Sequence, residues 1–200
     1  MNMSPIRRAA FATVLLAAAG VAQAHEAAVA HSHVGGFAAG FTHPLSGLDH
    51  LLAMLAVGLW SAAALPPSRR LVAPTLFMLT LFAGALLGLS FGAVPLTETG
   101  AALSVALFGL LLAGRARLPQ AAGLGVTAVA GLLHGVAHGA EWVPGASFLA
   151  YVAGFMAASA LLHGAGLSLG AHLATRGGWL WRAQAALFAA AGLFMLATRV

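Results

Sequence analysis

Apolar residues fill long stretches of this chain, and polar residues fall in short breaks between them. From residue 36 onward six apolar runs stand out, at about 36–64, 71–94, 98–114, 119–140, 145–171 and 178–198. A helix crosses the hydrocarbon core of a bilayer with roughly 20 apolar residues, range ~17–25, so each run is long enough to span. The pattern predicts an all-α integral membrane protein with six transmembrane helices. The N-terminal stretch is of another kind. Arg7 and Arg8 precede a short apolar segment from Ala9 to Gly20, and Ala22-Gln23-Ala24 has the A-x-A form of a cleavage site. That segment is too short to cross a bilayer. The expectation is a cleaved signal peptide at 1–24 and a six-helix membrane domain at 25–200, with the mature N-terminus at His25 outside the cytoplasm.

The arginines test this division, because cytoplasmic loops of membrane proteins carry an excess of Arg and Lys. With residue 25 outside, the first loop is inside and holds Arg69 and Arg70. The third is inside and holds Arg115 and Arg117, and the fifth is inside with Arg176 and, just beyond, Arg182. The second and fourth loops (around Pro95 and Pro144) are outside and hold none. Only Arg199, at the outer C-terminus, departs from the rule. Division at the third loop gives two three-helix halves of opposite orientation, an arrangement that suits a 3+3 inverted repeat with its site between the halves.

Composition narrows the function. The chain of 200 residues is 61% hydrophobic and 6% charged, with a mean hydropathy of +0.96. A water-facing domain carries roughly 25% charged residues, so a soluble enzyme is excluded, as is disorder. The net charge of +5 comes from arginines placed between apolar runs, which argues for a lipid bilayer as partner and against nucleic acid. No cysteine is present, so a metal would need nitrogen and oxygen ligands. No GxxxxGK[ST] motif appears, so ATP is not expected as a ligand. The 25 glycines fall largely within the runs among many alanines, as tightly packed membrane helices require. Trp60, Trp142, Trp179, Trp181 and Tyr151 read as interfacial belt residues.

Nine histidines against four acidic residues are the remaining surplus. Ionisable residues inside a span are costly and are functional candidates by default. The first run contains His43-Pro44-Leu45-Ser46-Gly47-Leu48-Asp49-His50. On a straight helix His43 and His50 would share a face but lie about 10.5 Å apart, too far to ligate one ion. Pro44 and Gly47 predict a break, placed at His43-Pro44 with the spanning helix starting at Leu45. Broken helices at membrane depth mark ion sites in transporters. The fourth run ends His134-Gly135-Val136-Ala137-His138-Gly139-Ala140-Glu141. His134, His138 and Glu141 project from one helical face and suit a divalent metal. Given the topology, both clusters fall in the outer half of the membrane and could form one site. Weaker candidates are His163, deeper in the fifth run as a relay, and the tail residues His25, His31 and His33 as a metal-collecting tract. Glu98 is placed in an outer loop.

These residues resemble the HupE/UreJ family of hydrogenase and urease accessory proteins, nickel permeases. The resemblance covers essentially the whole chain. The first motif, His then five residues then Asp-His, is met by His43, Asp49 and His50, in the fuller form HP-x-x-G-x-DH. The second, similar to FHG-x-A-x-G-x-E, is met by His134, Gly135, Ala137, Gly139 and Glu141, with Leu133 where Phe is frequent. The resemblance implies import of Ni²⁺ across the bacterial inner membrane for nickel enzymes, with Co²⁺ as an alternative cargo. It also implies that these residues lie on the ion path and that a nickel chaperone or enzyme waits downstream. Donor chemistry alone leaves Ni, Co, Zn, Fe and Cu open. No prosthetic group and no enzymatic activity are expected. The competing readings are a His-box membrane metalloenzyme, which would need more His boxes than His134-x-x-x-His138, and a membrane metal sensor or chaperone.

Overall fold

In the computed structural model of the chain, residues 36–92, 94, 97–114, 118–174 and 178–199 are described. The expected signal peptide, His25, His31, His33, Arg115, Arg117 and Arg176 lie outside the described residues. The elements are α1 (Gly36–Ser46), α2 (Leu48–Ala64), a 3-10 turn (Pro67–Arg69), α3 (Val72–Phe91), α4 (Thr97–Ala113), α5 (Gln120–Ala140), α6 (Phe148–Ala174) and α7 (Gly178–Arg199). Among the described residues there is no strand. Helices at membrane depth satisfy their own backbone polar groups, which is why runs this apolar take no other form.

Among the described residues, four helical stretches are long and apolar enough to cross a membrane: Pro67–Phe91, Gln120–Ala140, Phe148–Ala174 and Gly178–Thr198. The pair α1 and α2 makes a fifth if the two are one broken span, bent by 79°. Helix α4 is a shorter apolar helix of 17 residues, about 25 Å long against a hydrocarbon core of about 30 Å. Leu79, Leu110, Leu149, Leu161, Leu193 and Phe194 lie outward and exposed. A surface of this kind suits lipid and not water.

The break in the first run lies at Gly47, three residues beyond the position expected from His43-Pro44. Pro44 sits inside the last turn of α1, where its missing N–H removes only one hydrogen bond. The Gly47 N–H still reaches the His43 carbonyl at 3.3 Å. Gly47 then turns extended, with φ −89° and ψ 117°, and α2 begins. A Cβ on Gly47 would sit 2.9 Å from His50 Nδ1 and 3.1 Å from Asp49 Oδ1, so glycine keeps the turn close to these side chains.

The most extensive contacts pair α3 with α5, α4 with α7, α2 with α6 and α1 with α6. Counting α1–α2 as one member, the halves are α1/α2, α3, α4 and α5, α6, α7. Exchanging first for first, second for second and third for third maps these pairings onto themselves. The α3–α5 seam is glycine-lined on both sides. A Cβ on Gly84 or Gly88 would overlap the Leu132 or Val136 carbonyl, and one on Gly135 or Gly139 would overlap the Leu81 or Ala85 carbonyl. Backbones therefore touch along this seam. It carries the His134–Glu141 segment against α3.

Two expectations change. Trp60, Trp181 and Tyr151 are buried and not belt residues, and only Trp179 is largely exposed. The Trp60 ring lies where a Cβ of Gly123 would be, so a helix pairing distant in sequence buries it. Glu98 lies in the first turn of α4 and not in a loop, a position where a carboxylate suits the helix dipole.

Candidate metal site

The 79° bend between α1 and α2 brings together what a straight helix would hold apart. The His43 and His50 rings are 5.5 Å apart. Helix α5 supplies His138, whose ring centroid is 4.6 Å from His43 and 4.6 Å from His50. One nitrogen from each of His43, His50 and His138 lies within 4.8 Å of the others. Two nitrogens on one ion, each at about 2.0–2.1 Å, are at most about 4.2 Å apart. A small inward movement of the rings closes that gap. His134, one turn deeper on α5, follows with its ring 4.8 Å from His50. Asp49, His50, His134 and His138 are all buried.

Hydrogen bonds fix which nitrogen each ring offers. The His50 Nδ1–H donates to Asp49 Oδ1 at 2.7 Å. The His134 Nδ1–H donates to the Ala130 carbonyl at 2.8 Å. In each ring Nε2 then carries a lone pair, and in each it is buried without a hydrogen-bond partner. Both nitrogens of His138 are buried and unpartnered, and its ring stacks flat on Phe155 at 4.7 Å. A buried polar atom left unsatisfied costs about 1–3 kcal/mol. Several such atoms around one point are what a cation would repay. Imidazoles whose second nitrogen is held by a carboxylate or carbonyl are the usual form of metal-ligating histidine.

The six sequence candidates thus take different places. His43, His50 and His138 form the cluster. His134 lies next to it, one turn earlier on α5. Asp49 orients His50: its Oδ1 also accepts the His50 backbone N–H at 2.8 Å, at the start of α2 where N–H groups are otherwise unpaired. Glu141 caps the C-terminal end of α5, half-exposed, with Oε2 2.8 Å from His43 Nε2. It reaches the cluster through His43. Burial pushes the Glu141 carboxyl up. The hydrogen bond from His43, with attraction to the His43 and His50 rings, outweighs this and holds it below the ordinary range. His163 is buried on α6, away from the trio, with Phe77 packed on it at 4.9 Å.

Two aromatic residues without a site role in the sequence reading also line the site. Tyr151 lies 6.4 Å from His43, and Phe155 covers His138. With Ser159 and His163 they recur every four residues on one face of α6. The spacing is visible in the sequence, but Phe155 and Ser159 carry no charge, and Tyr151 reads as a belt residue from its own segment alone.

An apolar-surfaced helical bundle with buried imidazoles converging from a broken helix and a glycine-packed one defines a membrane-type protein with a histidine cluster of the kind that can hold a metal ion. The family described as HupE / UreJ protein matches residues 13–195, and the chain belongs to that family. It is 41% identical over 145 residues to Protein HupE of Rhizobium leguminosarum bv. viciae, covering 70% of this chain and 75% of that protein. No solved structure matches.

Proposed function

We propose that this chain is a permease that brings Ni²⁺ across the bacterial inner membrane from the periplasm, to supply nickel enzymes such as hydrogenase or urease. The observation that carries the reading is the convergence of His43, His50 and His138 to within 4.8 Å, inside a bundle whose surface suits lipid. Imidazole nitrogens suit nickel among the divalent ions and disfavour Mg²⁺ and Ca²⁺. The site is built at a helix break, where irregular backbone is tolerated in a membrane because it lines a cavity. Six spans complete the reading, with α1–α2 as one broken span and α4 as the shortest. The self-mapping pairing of the halves supports an inverted repeat. The A-x-A pattern of a signal peptide at 1–24 and the arginine-bearing loops support a mature N-terminus in the periplasm, with Arg69 and Arg70 in the cytoplasm. His31 and His33 collect metal before the mouth, which His43 and Glu141 form.

The test is uptake of labelled Ni²⁺ into proteoliposomes, with Co²⁺ and Zn²⁺ in parallel. Saturable Ni²⁺ entry that is lost in His50→Ala and His138→Ala is the expected result. Binding without entry would move the protein to the sensor or chaperone class. Substrate turnover with oxygen would move it to the metalloenzymes.

A further inference from the structure

Beyond the trio, a second set of unpartnered groups lies on α6. His163 is 2% exposed. Its Nδ1–H donates to the Ser159 carbonyl at 2.6 Å, so Nε2 carries the lone pair, and Nε2 is buried without a partner. Ser159 is fully buried, and its Oγ has no partner either. Two orphaned polar groups one turn apart, in a helix otherwise able to take Ala or Leu there, are a standing cost to the fold. The Phe77 ring lies against His163 at 4.9 Å and against His134 at 5.7 Å, so one aromatic ring separates the deepest histidine of the outer group from His163. His163 also borders a groove of about 450 Å³ between α3 and α6, lined with it by Met78 and Met156 and open toward the apolar surface at Leu71 and Leu79. Thioethers and an imidazole favour transition-metal ions over Mg²⁺ and Ca²⁺.

We infer that His163, with Ser159 and the sulfurs of Met78 and Met156, forms a second, inner stop for the same transition-metal cation. The inference rests on the transport reading for its direction, outer trio first and His163 second. The stop itself stands on its own groups. The cation leaves His134, passes Phe77 and is taken by His163 Nε2, whose tautomer is already set by Ser159. The groove leaves the Met78 and Met156 side chains room to turn toward His163. Gly58 lets the backbone of α2 lie against the His163 carbonyl, which holds that turn of α6 in place.

Equilibrium dialysis with ⁶³Ni²⁺ on the purified full chain tests the stop apart from transport. In the His50→Ala/His138→Ala background one ion per chain should remain bound, and adding His163→Ala should abolish it. Met78→Leu/Met156→Leu keeps the side-chain volumes and should weaken that remaining ion at least tenfold, which guards against a fold defect in the histidine variant. In proteoliposomes His163→Ala should lower the maximal rate at least tenfold and leave the half-saturation concentration, set by the outer trio, unchanged. Retention of the second ion in the triple variant would overturn the inner stop. So would loss of flux with unchanged binding stoichiometry, which would make His163 a proton relay. Absence of flux in the parent protein would sink the transport reading and leave the dialysis result to decide the stop.

Discussion

Asp49 gives the sharpest test of how the outer cluster works, because the structure uses it to hold His50. Its Oδ1 is 2.7 Å from His50 Nδ1. Adding the width of the ring and a metal–nitrogen bond of about 2.0–2.1 Å puts an ion on Nε2 about 7 Å from the carboxylate. At an effective dielectric of about 20, one unit charge at that distance gains about 2.4 kcal/mol for each unit of cation charge, a ceiling of about 4.7 kcal/mol for Ni²⁺ before solvent and ring relaxation reduce it. Loss of such outer partners typically costs ~10–100-fold in metal affinity, or about 1.4–2.7 kcal/mol. Asp49→Asn keeps the shape and an oxygen acceptor for His50 but removes the charge. Its Ni²⁺ dissociation constant should therefore rise ten- to hundredfold. Asp49→Ala should do worse, since it also strands the His50 Nδ1–H and backbone N–H in a buried place. Isothermal titration of the purified protein with a competing chelator measures both. A dissociation constant for Asp49→Asn within threefold of the parent would refute the argument that this carboxylate tunes His50.

Gly135→Val should prevent stable insertion, because its side chain would enter the Leu81 carbonyl and the α3 backbone. Gly125→Ala, which meets open space, should be neutral or stabilising by up to about 1 kcal/mol; equal folded yields for the two would mean the α3–α5 seam is not closely packed. The Glu141 carboxyl is held below its ordinary value, so the stability it contributes is present above the unfolded carboxylate range and is lost as pH falls through the lower folded value. Glu141→Gln should therefore lower the melting temperature near neutrality and converge with the parent at acid pH, and a constant difference across the range would count against the pair. Ni²⁺ affinity should fall as pH drops, because protons and metal compete for the same imidazole nitrogens; a flat profile would assign the ion to carboxylates or carbonyls. A periplasm-only reporter fused after Arg115 should be silent and one fused after Val200 active, and activity at Arg115 would end the six-span reading.

Much of this was legible in the sequence because the signals are local. Apolarity summed over about 20 residues marks a span whatever it packs against. The residue types of His43, Asp49, His50, His134, His138 and Glu141 mark metal chemistry without any knowledge of contacts. What depends on pairing between distant segments was not legible. Trp60 reads as a belt residue because an indole suits an interface, and nothing near it in sequence points to Gly123 across the bundle. The chelate expected from His134, His138 and Glu141 followed from i, i+3 and i+4 spacing. That spacing fixes a common face but not what stands opposite. The structure puts His43 there, and it takes Glu141 for itself and meets His138.

The break at Gly47 shows why the two motifs belong to one device. A straight helix through residues 43–50 could offer an ion His43 or His50, but not both. Pro44 alone would not change this, since a proline in the last turn of α1 leaves that turn closed. It is the extended backbone at Gly47, followed at once by Asp49 and His50 in the first turn of α2, that folds the two rings to 5.5 Å. The fourth run must then bring His138 to the same point, and only a backbone as bare as Gly135 and Gly139 can lie close enough against α3 for that. Each glycine in the two motifs therefore serves the histidines beside it. A substitution at Gly47 should weaken metal binding even though glycine offers the ion no ligand.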